Sequence, residues 1–203
     1  MMFARQPLWV PLLTHAPVFL ERYLSLTQAS PHTKLLLDSI NYSPEDTRVL
    51  LVPDARAKGR HVTYAMAFPF TVTAAVCDAG IPGGADGGVM SSGAFTSLLD
   101  VTTTIHVMER IMPSRDAHVS VSMQTNCLHP IQLGEKVLLI SRADKMGSRL
   151  AFMSAELLRD NCGGNTALDG EPPAATVEEM ERLLRRFEIL ANGKHVKCFI
   201  RPK

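Results

Sequence analysis

The sequence predicts an α+β fold in which a curved antiparallel sheet wraps one long buried helix at about 93–110. Three observations carry this expectation. Ala94, Leu98, Val101, Ile105, Met108 and Met112 recur at intervals of four and three, a continuous helical stripe. Downstream, 117–126 alternates apolar and polar residues, and two further strand-like runs are joined by a tight turn at 145–148. A glycine-rich loop, GIPGGADGG, runs straight into the helix and lets backbone bend sharply or approach a ligand. An acid, Asp100, stands about two turns inside the helix. A carboxylate among apolar and hydroxyl-bearing neighbours costs free energy unless something uses it, so chemistry is expected there.

A chain of 203 residues can bury one good core and carry an appendage. We divide it into an N-terminal extension, 1–45, and a main domain, 46–203. The formal charge of +1 gives no general electrostatic case for nucleic acid or an anionic membrane surface. With 46% hydrophobic residues the composition is globular, yet it contains no run of about 18 uncharged apolar residues that would span a membrane. Cys77, Cys127, Cys162 and Cys198 form no CxxC pair, and no histidine stands at zinc-finger spacing from them. They read as free thiols in a reducing compartment, with no metal site.

Residues 1–20 hold no acid and one arginine, Arg5, interrupted by Pro7 and Pro11. This pattern is read in two ways. One is a mitochondrial presequence; the other is an arm that packs through Leu8, Trp9, Val10, Leu12 and Leu13, in a cytoplasmic protein. Two short helices follow within 16–40. Phe19, Tyr23 and Leu26 share one face, and Ser30-Pro31 opens the second helix as cap and first helical residue. A polar turn at 41–46 leads to a short strand, 48–53, a basic loop, ARAKGR, and a long strand over 61–76. Pro69 within it implies a bulge, a bend or an edge position. The glycine loop lacks the Lys-Ser/Thr of a P-loop and the GxGxxG spacing of a dinucleotide site.

Ser91 or Ser92 can cap the long helix, and Pro113 ends it. Its VTTTI segment locally prefers strand, a preference that an enclosing sheet overrides. In the strand at 117–126, Val119, Val121 and Met123 are expected on one face and Ser120, Ser122 and Gln124 on the other. A turn at 130–135, strands at 136–144 and 149–159, and a Gly/Pro-rich loop at 161–175 come next. A charged amphipathic helix at 176–187 has Thr176 and Glu179 as a capping box and Met180, Leu183, Leu184 and Phe187 as its apolar stripe. The last strand is 189–200.

This order of elements, with GAFTSLLDVTTT, VSVSM, the Pro130-x-x-x-Gly134-Glu135 turn, KMGSRLAFMSAEL and ANGKHVK, resembles the hotdog-fold acyl-CoA thioesterases of the PaaI-like thioesterase superfamily. The resemblance covers roughly 62–200, with 161–187 as an insertion. It implies hydrolysis of acyl-CoA to free acid and CoA, with no cofactor beyond the CoA of the substrate. It places Asp100 as the group that orients or activates water and Ser120 as its hydroxyl partner. The backbone N–H of Ser92, with Gly93 behind it, becomes the oxyanion donor at the positive end of the helix. Lys145, Arg149, Lys194 and Lys197 are the implied CoA contacts. It also implies a homodimer, or a dimer of dimers (a homotetramer), with each site built across the interface.

Two departures are visible. Ser91-Ser92-Gly93 stands where the family has His-Gly-Gly, and Ala85, beside Asp86, stands where it has Asn or another polar residue. A second reading therefore stays open: a catalytically silent hotdog subunit of a larger, mitochondrial assembly, with the long arm and the inserted helix as partner surface. A hydratase or dehydratase is disfavoured, because such chemistry uses a histidine and none occurs between His61 and His106. His118, His129 and His195 read as surface or ordinary core groups.

Overall fold

The computed structural model describes residues 9–53, 61–78, 88–114, 116–160 and 177–200. The glycine loop up to Gly87, with Ala85 and Asp86, the ARAKGR loop, Leu8 and the residues before it, Cys162, and the Thr176 cap all lie outside the described residues.

Nine strands and five α-helices follow the chain among the described residues: β1 Trp9–Pro11, α1 Leu12–His15, α2 Phe19–Ala29, α3 Pro31–Ser39, β2 Arg48–Pro53, β3 His61–Thr71, β4 Cys77–Asp78, β5 Val89–Met90, α4 Ser92–Ile111, β6 Ala117–Cys127, β7 Lys136–Met146, β8 Leu150–Arg159, α5 Val177–Leu184 and β9 Ile189–Ile200. Seven strands form one sheet in the order β1-β2-β3-β7-β8-β9-β6, and every pairing in it is antiparallel. β4 and β5 pair separately just ahead of α4.

The sheet curves around α4. Phe95, Leu98, Leu99 and Ile105 are fully buried against Met66, Phe68, Leu139 and Leu157 of the strands. Leu12, Phe19, Leu37 and Ile40 join the same core, so residues from 9 onward pack as part of one body with the sheet. Ser30 caps α3 by accepting from the Thr33 N–H, with Pro31 as the first helical residue. Two of the expected strands end elsewhere. β3 stops at Thr71 rather than running to 76, and a single 3-10 turn at Ala74–Val76 follows. The β7–β8 turn falls two residues later than the spacing suggests, after Met146. Pro69 pairs with Leu138 of β7, beyond Ala67, the last β3 partner of β2. It therefore sits where β3 has β7 alone beside it and no ladder donor is missed.

A second apolar layer lies on the outer face. Met180 and Leu184 of α5 cover Leu50, Ala65, Ala67, Leu138, Ile140 and Leu158. Arg142 of β7 fixes this helix with Nε 2.7 Å and Nη2 3.1 Å from the two carboxylate oxygens of Glu181, and it also reaches Glu156 at 3.0 Å. Arg142→Ala is expected to lower the unfolding free energy by about 2 kcal/mol, because it strands two partly buried carboxylates. A urea titration reads this loss.

One expectation about β6 is corrected. Val119, Val121 and Met123 do not share a face, because a bulge between Ser120 and Ser122 inserts Val121 as an extra residue. Before the bulge His118 and Ser120 pair with Phe199 and Lys197; after it Met123 and Thr125 pair with His195 and Gly193. Strand alternation then puts His118, Ser120, Met123 and Thr125 on the α4 side.

Candidate active site

α4 starts cleanly. The Ser91 side chain accepts from the Ala94 N–H at 3.0 Å, and its own N–H donates to the Val76 carbonyl at 2.9 Å. The N–H groups of Ser92 and Gly93 meet no backbone acceptor among the described residues, and both residues are exposed. They form the positive pole of a 20-residue helix. Further in, Thr102 donates to the Leu98 carbonyl at 2.7 Å, so a buried β-branched hydroxyl is satisfied within the helix itself.

Asp100 projects toward β6 and β9. Its Oδ1 accepts from the Ser120 hydroxyl at 2.8 Å and from Lys197 Nζ at 3.0 Å. No described residue bonds Oδ2, and the side chain is 41% exposed. Lys197 is the reverse case: its side chain is 2% exposed. The ammonium has three hydrogens and three acceptors, Asp100 Oδ1 at 3.0 Å, Thr104 Oγ1 at 2.7 Å and Ser120 Oγ at 3.3 Å.

His195 completes the group. Its Nδ1 lies 2.7 Å from Thr103 Oγ1, and Nε2 lies 3.5 Å from Asp100 Oδ1. The single Thr103 hydroxyl hydrogen is shared between Nδ1 and the Leu99 carbonyl, which lies 2.7 Å from the same Oγ1. Burial, with Lys197 alongside, pushes the His195 imidazole down to about 4, and it is neutral at pH 7. His118, across from Phe199 in an edge-on ring contact, is pushed down to about 4 for the same reasons.

The two charged partners shift in the same direction for different reasons. Burial works to raise Asp100, but the charge and hydrogen bond of Lys197, the Ser120 hydroxyl and His195 together bring it below the ordinary carboxylate value. Burial also lowers Lys197, and the attraction of Asp100 restores part of that shift.

The expected site residues thus separate into three groups. Asp100 and Ser120 meet. Ser92 and Gly93 stand at the helix start, roughly 12 Å from Asp100 at ~1.5 Å of rise per residue. Lys145, Arg149 and Lys194 are exposed, with Lys145 opposite Phe152 and Lys194 opposite Ser154 on the outer side of the sheet. Lys197 does not join them: expected as a CoA contact, it faces inward and binds Asp100. His195 and His118 are corrected too, since both face the carboxylate rather than ordinary surroundings. The missed signal is the alternation Gly193-Lys194-His195-Val196-Lys197. Period two puts Gly193, His195 and Lys197 on one face and Lys194 on the other. Among the described residues no group of three or more His, Cys, Asp or Glu could hold a metal ion, and no helix is long and apolar enough to cross a membrane. Cys77, Cys127 and Cys198 are free thiols.

The thioesterase superfamily model matches residues 87–164, the stretch from the helix start through β8. No curated protein matches the chain. Among solved structures, thioesterase superfamily member 2 of zebrafish is 17% identical with a TM-score of 0.54, covering 94% of this chain and 99% of its own. A mutant thioesterase of Pseudomonas aeruginosa is 11% identical with a TM-score of 0.52, covering 89% and 93%. Likenesses at this identity concern the fold.

Proposed function

From a hotdog fold that carries a thioesterase-superfamily segment over residues 87–164, we propose that this chain hydrolyses acyl-CoA thioesters. One observation carries the reading: Asp100 is anchored through Oδ1 by Ser120 and Lys197, which hold its carboxyl below the ordinary carboxylate value, and its Oδ2 is bonded by no described residue on a half-exposed side chain. A water held on Oδ2 attacks the thioester carbonyl carbon. Its proton passes to the carboxylate, the tetrahedral oxyanion collapses, the C–S bond breaks and the proton ends on the CoA sulfur. Products are the free acid and CoA.

The oxyanion donors are the Ser92 and Gly93 N–H groups. At about 12 Å from Asp100 along one helix they cannot serve the same carbonyl within one subunit. The reading therefore requires a homodimer that brings the Ser92 end of one copy to Asp100 of the other. β6 suits that contact: it is an edge strand, and Val119 and Val121 are 47% and 60% exposed on it. Lys145, Arg149 and Lys194 are the proposed contacts for the CoA phosphates, and a mitochondrial location is proposed from the acid-free N-terminus. The test is release of free thiol from a panel of acyl-CoA chain lengths by the purified full chain. No hydrolysis of any member at any pH between 5 and 9 would reject the reading.

A Cβ on Gly93 would meet Ser91 Oγ at 3.7 Å, an ordinary contact. Gly93→Ala is accordingly expected to raise stability by ~0.5 kcal/mol and to depress kcat/KM, because the added methyl stands where the thioester carbonyl docks. Unchanged kcat/KM would move the carbonyl away from the helix start.

One observation favours a second reading, a binding subunit of a larger assembly. Val18, Leu20, Leu24 and Leu35 of the helical arm are 58%, 42%, 48% and 69% exposed. Size measurement of the chain purified from its source separates the two, since a free homodimer or dimer of dimers excludes the assembly.

A further inference from the structure

Lys197 is buried and charged, and the reaction as written above assigns it no part. An ammonium removed from water is costly unless its hydrogens are met. Here each is met, by Asp100, Thr104 and Ser120. Two of these acceptors are the pair that addresses water. The third, Thr104, lies one turn further along α4 from Asp100, so it ties the ammonium to the same helix face.

We infer that Lys197 is the positioning residue of the site, holding Asp100 by Oδ1 so that Oδ2 alone is presented to water, and holding Ser120 as donor to Asp100 rather than to water. The inference rests on the hydrolase reading. The geometry carries it. Ser120 and Lys197 are cross-strand partners in the β6–β9 register, and the bulge directly after Ser120 turns the next residue away. With one lone pair of Ser120 facing Nζ at 3.3 Å, the hydroxyl hydrogen is directed to Oδ1 at 2.8 Å. A carboxylate bound through one oxygen cannot rotate freely, so Oδ2 keeps one direction, toward the open side.

The titratable groups facing Asp100 are Lys197 and His195 from β9 and His118 from β6. Both imidazoles are neutral above about 4. Across the range in which a free aspartate and an enzyme of this kind are assayed, Lys197 is therefore the cation that keeps Asp100 ionised.

The test pairs the full wild-type chain with Lys197→Met and Lys197→Arg. The methionine fills the same space without charge, and arginine restores charge without the three-point geometry. Two quantities are read: the Asp100 carboxyl titration by carbon NMR, and the pH profile of kcat and KM on an acyl-CoA that the wild type hydrolyses. In wild type the carboxyl should titrate below the ordinary aspartate value. In Lys197→Met the titration and the acid limb of kcat should rise together, kcat should fall roughly a hundredfold, and KM should hold. Lys197→Arg should recover the low titration but little of kcat.

A wild-type Asp100 that titrates at or above the ordinary value overturns the inference without any variant, so a variant that fails to fold does not rescue it. Equal acid limbs in wild type and Lys197→Met also overturn it, as does a change confined to KM, which would return Lys197 to CoA binding. A wild type that hydrolyses no thioester defeats the hydrolase reading, and Lys197's part in it, even if the carboxyl titrates low.

Discussion

Asp100→Asn is expected to lower acyl-CoA turnover by about 10²–10⁴-fold while the chain remains folded. The amide keeps the shape and an oxygen to accept from Ser120 and Lys197, so the anchoring contacts persist. It cannot take a proton from water at the free position, and that is the loss read in kcat. The substitution also has a stability signature of definite sign. In wild type, the depressed Asp100 contributes stability that is present above the unfolded carboxyl value and is lost as pH falls through its lower folded value. In the variant that dependence disappears. Lys197 then loses its counter-charge and is pushed further down by burial. The folded protein binds fewer protons than the unfolded chain between the folded and unfolded lysine values, so the variant becomes more stable as pH rises through that window. Urea midpoints at acid, neutral and alkaline pH measure both effects. Turnover unchanged from wild type would remove Asp100 from the chemistry.

How much of this was legible in the sequence depends on the kind of signal. Long periodic elements were readable: α4 runs Ser92–Ile111 against an expected 93–110, and β9 runs Ile189–Ile200. Asp100 stands out because it is the acid in the middle of that helix, the other, Glu109, lying in the last turn. Of its partners, Ser120 is placed beside it by the family resemblance and not by the strand pattern, which groups Ser120 with Ser122 and Gln124; the bulge after Ser120 puts Met123 and Thr125 on its face instead. A bulge changes the side-chain count by one, and nothing in SVS announces which residue is the extra one. Lys197 and His195 face inward for another reason. A lysine defaults to solvent by hydropathy, yet its position on the strand face is fixed by alternation with buried Ala191 and Gly193. Local polarity and strand parity disagreed, and parity won because the carboxylate on α4 supplies the counter-charge. The β1 strand was invisible altogether: WVP is too short to carry a pattern, and it forms by pairing with β2.

A second large stability effect, outside the charged group, is expected where Gly193 of β9 meets Leu99 of α4. A Cβ there would lie 2.2 Å from Leu99 Cδ1 and 2.8 Å from the Gln124 carbonyl oxygen. The first contact can be relieved by moving a leucine methyl, although Leu99 is fully buried. The second is backbone of β6 and yields only if the strand shifts. Gly193→Ala should therefore destabilise by about 1–3 kcal/mol through overpacking, toward the upper end of that range. Leu99→Ala alone should cost about 2–5 kcal/mol by leaving a cavity. Combined, they should cost less than the sum, with a coupling of roughly 0.5–3 kcal/mol, because the alanine methyl at 193 enters space that the leucine vacates. The coupling is measurable from urea unfolding of the four proteins of the cycle. It also bears on the chemistry, since Leu99 precedes Asp100 and Gly193 lies two residues before His195. A Gly193→Ala chain that loses turnover and regains part of it on adding Leu99→Ala would show that the helix–strand approach sets the reach of the carboxylate. Additive costs with no recovery would put the strain in β6 instead, at the Gln124 carbonyl, where the strand itself is pushed out of register with Lys197.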